Sequence, residues 1–358
     1  MSRTQFHSLR VAEVRRETDD AVSILFDVPE DLADEFRFVQ GQHLTLRKEI
    51  DGQELRRNYS ICSSVDDGQI RVAVRHLEGG RFSSYANESL QAGDQLDVMP
   101  PQGRFFTDLD ESNEKSYLAI AAGSGITPIA SILKTTLEQE PGSSFTLVFG
   151  NRAARTIMLR SDINRLKNRF PERLQVIHVL SQEDREVPLF NGRVTADKLA
   201  EMEGRLIDFG SFDEVFLCGP QAMIDELRPA LAERFGFDPA HVHFELFGTK
   251  DMAARKETTS ADAGPMRKVS IIADRKMIEL EVPSAGNSIL DAALAAGADL
   301  PFACKGGVCC TCRAKLVAGE VSMDVNYALE DHEVEAGFIL TCQAHPTSDY
   351  VQVDYDVA

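Results

Sequence analysis

Four cysteines near the end of the chain have a spacing that suits an iron–sulfur cluster. Cys304, Cys309 and Cys312 follow the pattern C-x4-C-x2-C, and Cys342 comes after 29 intervening residues. This is the plant-type pattern in which four thiolates hold a [2Fe–2S] cluster. Two adjacent glycines in the loop allow the backbone to wrap closely and to direct its amides at the sulfurs. The sequence therefore predicts a [2Fe–2S] centre with these four cysteines as its metal ligands.

Zinc is the main alternative for so many thiols. Zinc sites usually combine a C-x2-C pair with a second such pair or with histidines, but only Cys309 and Cys312 form a tight pair of this kind here. Cys310 has no ligand role in the spacing and is interpreted as a structural or incidental thiol. The eight histidines form no metal-spaced set with carboxylates.

Two segments in the first third of the chain offer groups that could hold a phosphorylated, aromatic cofactor. The segment Arg57-Asn58-Tyr59-Ser60 presents a cation, a flat ring and a hydroxyl on a predicted strand. The turn Gly79-Gly80 opens a predicted helix with Ser83 near its N-terminus, where free amides favour an anion. Taken alone, each segment also fits ordinary surface and packing residues.

A third motif has the form of a phosphate-binding turn between a strand and a helix. An apolar strand is predicted at residues 116–121, and Gly123, Gly125 and Thr127 follow it before an amphipathic helix at residues 129–138. Pro128 occupies the position of the third glycine in the general dinucleotide fingerprint, so the match is incomplete. Proline is well tolerated in the first turn of a helix.

These motifs fall in different parts of the chain. Residues 1–109 read as six short strands with turn signals, which predicts a closed antiparallel barrel. Residues 110–248 alternate strands with helices and predict a doubly wound parallel sheet. Residues 249–266 show no apolar periodicity and predict a solvated linker. Residues 267–358 carry the cysteines, with a hairpin, a helix capped by Asn287 or Ser288, and later strands at 311–317 and 350–355.

Composition narrows the classes of function. The 358 residues carry a net charge of −19, which argues against a nucleic-acid partner. The chain has no apolar run of 18 residues and no apolar signal core, so we expect no membrane span and a cytoplasmic location. Residues 313–358 contain nine acidic and two basic residues. This acidity is interpreted as a solvated surface or as a patch for a basic electron-transfer partner.

The three regions, in this order, resemble a ferredoxin–NADP reductase module fused to a plant-type ferredoxin. The motifs that carry the resemblance are Arg57-x-Tyr59-Ser60, Gly79-Gly80-x-x-Ser83, Gly123-x-Gly125-x-x-Pro128 and Cys218-Gly219-Pro220. Proline in place of the third glycine is that family's own pattern. The resemblance implies an antiparallel Greek-key flavin-binding barrel, a doubly wound nucleotide-binding sheet and a β-grasp-like ferredoxin domain.

Longer segments are similar to the reductase subunits of phenylacetyl-CoA epoxidases. They include Phe6-His7-Ser8-Leu9, Gly41-Gln42-His43-Leu44-Thr45-Leu46 and Ala303-Cys304-Lys305-Gly306-Gly307-Val308-Cys309. Members of that family pass electrons from NADPH to the diiron oxygenase subunits of a multicomponent epoxidase. The resemblance therefore implies such a partner in phenylacetate catabolism.

The resemblance also implies roles for individual residues, with FAD as the flavin. Tyr59 would lie against the isoalloxazine ring with Ser60 near its N5 atom, and Ser60 and Cys218 would act where hydride is transferred. The flavin-binding set is Arg57, Tyr59, Ser60, Ile61, Gly79, Gly80 and Ser83, with Phe247 either on the second ring face or in the core. The nucleotide-binding set is Gly123, Gly125, Thr127, Gly219 and Pro220.

Arg152 and Arg155 follow a strand end where an adenosine ribose would lie. A 2′-phosphate favours arginine, whereas a bare 2′-hydroxyl favours a carboxylate. Because residues 151–155 contain no acid, we predict NADPH rather than NADH as co-substrate.

Three alternatives stay open. The flavin could be FMN, and the partner could be a ring-hydroxylating dioxygenase or a haemoprotein. The chain could also be a non-catalytic redox sensor or a zinc-binding adaptor.

Overall fold

A computed structural model describes residues 5–247 and 264–357 of the chain. These residues belong to two compact units, one containing residues 6–247 and the other residues 264–357. Most of the predicted linker, residues 249–263, lies outside the described residues. Among the described residues, no helix combines the length and the apolar character needed to cross a bilayer.

The first part of the larger unit is an antiparallel barrel of six strands with one helix. In sheet order the strands run β4-β3-β6-β1-β2-β5, and a bridge between Ile61 and Val72 joins the two ends. Alternate side chains such as Leu44 and Leu46 are fully buried in the barrel core. The elements are β1 (His7–Thr18), β2 (Ala21–Asp27), β3 (His43–Ile50), β4 (Gln53–Ser60), β5 (Ile70–Arg75), α1 (Arg81–Glu88) and β6 (Gln95–Val98). The predicted closed barrel is confirmed.

The second part of this unit is a five-stranded sheet in the order β11-β10-β7-β8-β9, in which every pair is parallel. Its strands are near-continuous apolar runs, as expected for a sheet covered on both faces. The elements are β7 (Ser116–Ala122), α2 (Ile126–Gln139), β8 (Ser144–Asn151), α3 (Arg160–Arg169), β9 (Leu174–Leu180), α4 (Ala196–Met202), β10 (Glu214–Gly219), α5 (Gln221–Glu233) and β11 (Val242–Leu246). The predicted doubly wound sheet is confirmed.

The smaller unit contains a five-stranded sheet in the order β13-β12-β18-β14-β16 and a two-stranded sheet, β15-β17. The predicted hairpin is present, and the side chain of Ser288 caps the helix by accepting from the amide of Asp291. The elements are β12 (Met266–Ala273), β13 (Lys276–Pro283), α6 (Ile289–Ala295), β14 (Arg313–Ala318), β15 (Val321–Met323), α7 (Asp331–Glu335), β16 (Phe338–Leu340), β17 (Ala344–Pro346) and β18 (Tyr350–Asp354).

Candidate functional site

A cavity of about 160 Å³ lies where the barrel meets the turn before α2. Seven residues singled out in the sequence line it: Arg57, Tyr59, Ser60, Gly80, Ser83, Thr127 and Phe247. Its other lining residues are Asn58, Ala73, Arg75, Leu77, Phe82 and Ser124. The cavity therefore brings the two predicted barrel motifs together with the strand–turn–helix motif.

Strand β4 supplies one wall of the cavity. The ring of Tyr59 packs 5.6 Å from the ring of Phe82, and burial raises the pKa of its hydroxyl, so the ring stays neutral. Arg57 is exposed, and its guanidinium donates to the Arg56 carbonyl at 2.7 Å. Ile61 is different, because its side chain is buried in the barrel core and is not part of the cavity lining.

The two glycines of the turn before α1 are constrained in different ways. A Cβ on Gly80 would lie 2.6 Å from the Ser83 hydroxyl, and Gly79 has a φ of +72°, which favours glycine. Ser83 holds the turn by donating to the Gly80 carbonyl at 2.8 Å and accepting from the Leu77 amide at 3.0 Å. The N-terminus of α1 is thereby fixed at the edge of the cavity.

The turn before α2 approaches the end of β10 closely. A Cβ on Gly125 would lie only 2.1 Å from the Cys218 carbonyl oxygen, so only glycine fits there. A Cβ on Gly219 would likewise meet Met223, and Pro220 follows at the start of α5. The strand ends that carry Gly123 and Cys218 are therefore neighbours, as expected at the carboxyl edge of an α/β sheet.

Four side chains lie close together beside this edge. Ser60 donates to the Glu245 carboxyl at 3.3 Å. Burial raises the pKa of the fully buried Cys218 thiol, and the charge of an ionised Glu245 raises it further. Burial raises the pKa of Glu245 to about 8, so this carboxyl is neutral at pH 7. On the other side of Glu245, His43 Nδ1 lies 3.9 Å from Oε1, and burial lowers the pKa of His43 to about 4.

Glu245 and Arg75 are functional candidates that the sequence reasoning missed. Glu245 lies in the apolar segment 244–247 two positions before Phe247, and an acid in such a strand was the available signal. Arg75 lines the cavity, and its Nη1 would be 3.2 Å from a Cβ on Gly123. Its guanidinium is held by Asp20 through contacts of 2.8 Å. A fixed cation therefore lies between the cavity and the turn that the sequence predicts to bind phosphate.

The predicted ribose-phosphate residues lie after β8. Arg155 is 79% exposed and its Nη1 is 3.8 Å from Asp19. The structure also brings Glu183 to this turn, where its carboxylate accepts from the Ala154 amide at 2.7 Å. Arg152 is exposed beside them. The region thus combines two arginines with two acids, and neither acid lies in the local sequence 151–155.

A larger cleft of about 420 Å³ lies elsewhere in the same unit and contains none of the predicted site residues. Its cations face acids: Arg15 contacts Asp162 at 3.0 Å, and Arg71 contacts Glu13 at 2.6 Å. The first ion pair joins β1 of the barrel to α3, and the second joins β1 to β5 within the barrel. The cleft is therefore a structural junction.

In the smaller unit the four predicted cysteines form two hydrogen-bonded pairs. Cys309 donates to Cys304 and lowers its pKa to about 6, and Cys312 lowers the pKa of Cys342 in the same way. In the described part of the chain, no three His, Cys, Asp or Glu side chains converge as a single-ion site requires. Two pairs suit a two-iron cluster, in which each iron takes two protein ligands.

The loop around these thiols is shaped by its backbone. The Gly306 amide donates to Cys304 Sγ at 3.2 Å, and Gln343 donates to Cys342 Sγ at 3.3 Å. Gly307 has a φ of +75°, as predicted for a loop glycine, but Lys305 and Cys310 also adopt positive φ. The Cys310 thiol donates to the Ala328 carbonyl at 3.5 Å. Directed amides and paired thiols fit a [2Fe–2S] cluster.

Comparison with known proteins agrees with this arrangement. Residues 8–106 match the oxidoreductase FAD-binding domain, residues 119–228 the oxidoreductase NAD-binding domain and residues 271–347 the 2Fe-2S iron-sulfur cluster binding domain. Together with the two sites, these matches define an NAD(P)H-dependent flavin and iron–sulfur oxidoreductase. Its cofactors are FAD and a [2Fe–2S] cluster, and its co-substrate is NAD(P)H.

Full-length relatives identify the family. The chain is 47% identical over 353 residues to one of the subunits of the 1,2-phenylacetyl-CoA epoxidase of Escherichia coli K12, covering 99% of this chain and 98% of that one. It is 33% identical to the ferredoxin reductase component of 3-ketosteroid-9-alpha-monooxygenase from Rhodococcus rhodochrous, covering 97% and 96%. The chain belongs to the family of flavin and iron–sulfur reductase components of oxygenases that includes these proteins. Phthalate dioxygenase reductase shares the fold, with a TM-score of 0.57 and 22% identity over 99% of this chain and 100% of that one.

Proposed function

We propose that this reductase passes electrons from NADPH to the diiron oxygenase of a phenylacetyl-CoA epoxidase. The observation that carries the proposal is the full-length identity of 47% to a component of such an epoxidase. The four cysteines with plant-type spacing and the residues that line the cavity beside β4 support it. A cytoplasmic location is part of the proposal, because a reducing compartment keeps cluster thiols available for iron.

The flavin would occupy the cavity beside β4. FAD supplies the ability to take two electrons together from a hydride donor and to release them singly. Tyr59 would cover one ring face, with Phe247, which is 43% exposed, at the other. Arg57 and the N-terminus of α1 behind Gly80 would neutralise the pyrophosphate, since a helix N-terminus favours anions.

The co-substrate would bind along the carboxyl edge of the parallel sheet. The backbone from Gly123 to Thr127 would hold its pyrophosphate at the N-terminus of α2, with Arg75 as a nearby cation. Cys218, with its thiol neutral, would fix the nicotinamide next to Ser60 without adding charge. Close fixation of the reacting atoms at about 3–3.5 Å is what accelerates hydride transfer. Arg152 and Arg155 would bind a 2′-phosphate, and this is the basis for NADPH.

Glu245 would transfer to solvent the proton that remains after electron transfer. A hydride brings two electrons and one proton equivalent, and two single-electron transfers leave that proton behind. Glu245 Oε2 contacts Ser60 at 3.3 Å, and the side chain is 16% exposed, so it links the site to water. A proton arriving at Ser60 Oγ moves to Glu245 while the proton already on the carboxyl leaves to solvent.

The domain boundaries that we propose are 1–109, 110–248 and 267–358, with a linker at 249–266. The first boundary is supported by the gap between β6, which ends at Val98, and β7, which begins at Ser116.

Turnover with purified oxygenases tests the proposed partner. We expect a phenylacetyl-CoA epoxidase oxygenase core to stimulate NADPH oxidation by the reductase and to yield epoxide in proportion. The 33% identity to a 3-ketosteroid-9-alpha-monooxygenase component makes that oxygenase the comparison arm. Equal or greater coupling to the steroid oxygenase, with none to the epoxidase core, would overturn the partner assignment and leave the electron-transfer chemistry intact.

A further inference from the structure

A buried polar chain leads from Glu245 into the space between the barrel and the parallel sheet. His43 and Thr45 on β3 lie opposite Ser60 and Asn58 on β4, so all four share one face of the hairpin. Leu44 and Leu46 point the other way into the barrel core. The polar face of this hairpin is therefore turned toward β11, which carries Glu245.

The hydrogen bonds along this face determine which nitrogen of His43 carries its proton. Thr45 Oγ1 donates to Asn58 Oδ1 at 2.9 Å, and in this orientation of the amide Asn58 Nδ2 lies 2.9 Å from His43 Nε2. Nε2 must accept this bond, so the neutral imidazole carries its hydrogen on Nδ1. That atom is the one 3.9 Å from Glu245 Oε1.

His43 is also held rigidly. It is 4% exposed, its backbone amide donates to the Gln102 carbonyl at 2.8 Å, and a Cβ on Gly103 would lie 3.0 Å from Nδ1. Burial at this position disfavours the charged form of the imidazole, so His43 is neutral at pH 7.

We propose that His43 is a positioning residue for the proton path, a fixed Nδ1–H donor that stabilises the Glu245 carboxylate whenever its proton has left. The inference rests on the role of Glu245 in the proposed function. Among the described residues, the ionisable side chains that interact with Glu245 are His43 on β3 and Cys218 on β10. Cys218 opposes ionisation of Glu245 only when it is itself a thiolate. The Ser60 hydroxyl favours ionisation through its hydrogen bond to the carboxyl, and His43 Nδ1, 3.9 Å from Oε1, is the second donor that we assign to this role.

Two substitutions separate the two nitrogens. His43→Asn places an amide donor close to the position of Nδ1, whereas His43→Gln reaches toward Asn58 and loses the donor to Glu245. The readout is the pH dependence of flavin reduction by NADPH, followed anaerobically without any oxygenase. A hydrogen bond to the charged form of an acid favours that form. His43→Gln should therefore raise the apparent pKa of Glu245 in this pH profile by about half a pH unit. His43→Asn should restore the wild-type value of this pKa, and the KM for NADPH should stay constant.

A matched control is His178→Gln on β9, away from Glu245. This substitution removes a half-buried imidazole whose pKa, like that of His43, is lowered by burial. The His178 variant should show the same apparent pKa in the pH profile as wild type. A profile that is the same in His43→Gln and wild type overturns the proposal, as does a shift of equal size in the His178 variant. Loss of all flavin reduction in the wild-type protein would instead refute the proposed function.

The second measurement does not depend on activity. Nitrogen NMR of the wild-type full chain labelled in histidine, with His43 assigned from the His43→Gln spectrum, reports the tautomer directly. The proposal requires a hydrogen on Nδ1 and none on Nε2 at pH 7. The opposite tautomer refutes it, and if the glutamine variant does not fold, assignment from His43→Asn lets this spectrum alone decide.

Discussion

Replacing Glu245 by glutamine should change how stability depends on pH. The carboxyl has a pKa raised from 4.5 to about 8 by burial, and each pKa unit corresponds to about 1.4 kcal/mol. Between these values the folded chain binds a proton that the unfolded chain has lost, so stability falls as the pH rises. His43 acts in the opposite direction between about pH 4 and pH 6.5, because there the unfolded chain binds the extra proton.

The two effects give the wild-type protein a distinctive profile. From about pH 4.5 to 6.5 the contributions cancel, and from pH 6.5 to 8 the Glu245 contribution alone lowers the free energy of unfolding by about 2 kcal/mol. Glu245→Gln removes the falling contribution, so its stability relative to wild type should rise by about 3 to 5 kcal/mol between pH 4.5 and 8. The lower figure allows for solvent screening, since the side chain is 16% exposed.

Urea unfolding followed by circular dichroism measures this difference, with FAD removed so that only side chains titrate at the site. The transitions of the two units are fitted separately. Glu201→Gln, at a 58% exposed carboxylate on α4, is the control and should run parallel to wild type. Parallel curves for Glu245→Gln and wild type between pH 5 and 8 would refute the description of Glu245 as a buried, neutral acid.

Three further predictions test the rest of the site. Cys304→Ser or Cys342→Ser should lose cluster iron and electron delivery while NADPH still reduces the flavin, and Cys310→Ser should keep its iron; iron analysis that finds equal loss in all three would contradict the ligand assignment. Gly125→Ala forces a Cβ to within 2.1 Å of the Cys218 carbonyl, so kcat/KM for NADPH should fall roughly 100-fold. Gly210→Ala, whose Cβ would have only Asp208 Oδ1 at 3.5 Å, should have no effect, and equal losses would argue against a local cause. Arg152→Ala with Arg155→Ala should lower the ratio of kcat/KM for NADPH over NADH at least tenfold if each lost charge-assisted contact costs about 1 kcal/mol, whereas an unchanged ratio would remove the basis for NADPH.

Much of the fold could be predicted because the local signals agree with the final structure. The six barrel strands are bounded by turn residues, and all six predicted strands are present. Pro128 lies in the first turn of α2, where its missing amide hydrogen has no cost. Helix α2 nevertheless begins at Ile126, before the predicted 129, because the glycine turn leads directly into it. In the smaller unit, β15, β16 and β17 have three residues each, too few for a periodic pattern.

The site was predicted less completely, and the reason is physical. Motif residues such as Ser83 and Gly125 act through their own backbone, so their spacing is visible in the sequence. Glu245 and His43 acquire their properties from burial against segments about 200 positions apart, which no local pattern records. Glu183 reaches the turn at Ala154 in the same way. Side chains whose role depends on a distant neighbour are the ones that sequence reasoning misses.

Anaerobic titration with NADPH, followed by electron paramagnetic resonance, tests the central claim most directly. In protein with full FAD and iron content, NADPH should produce the signal of a half-reduced [2Fe–2S] cluster as the flavin absorbance bleaches. Cys312→Ser should bleach without that signal. If the loaded wild-type protein bleaches, or fails to bleach, with no cluster signal at any stage, electrons do not run from NADPH through the flavin to these four cysteines.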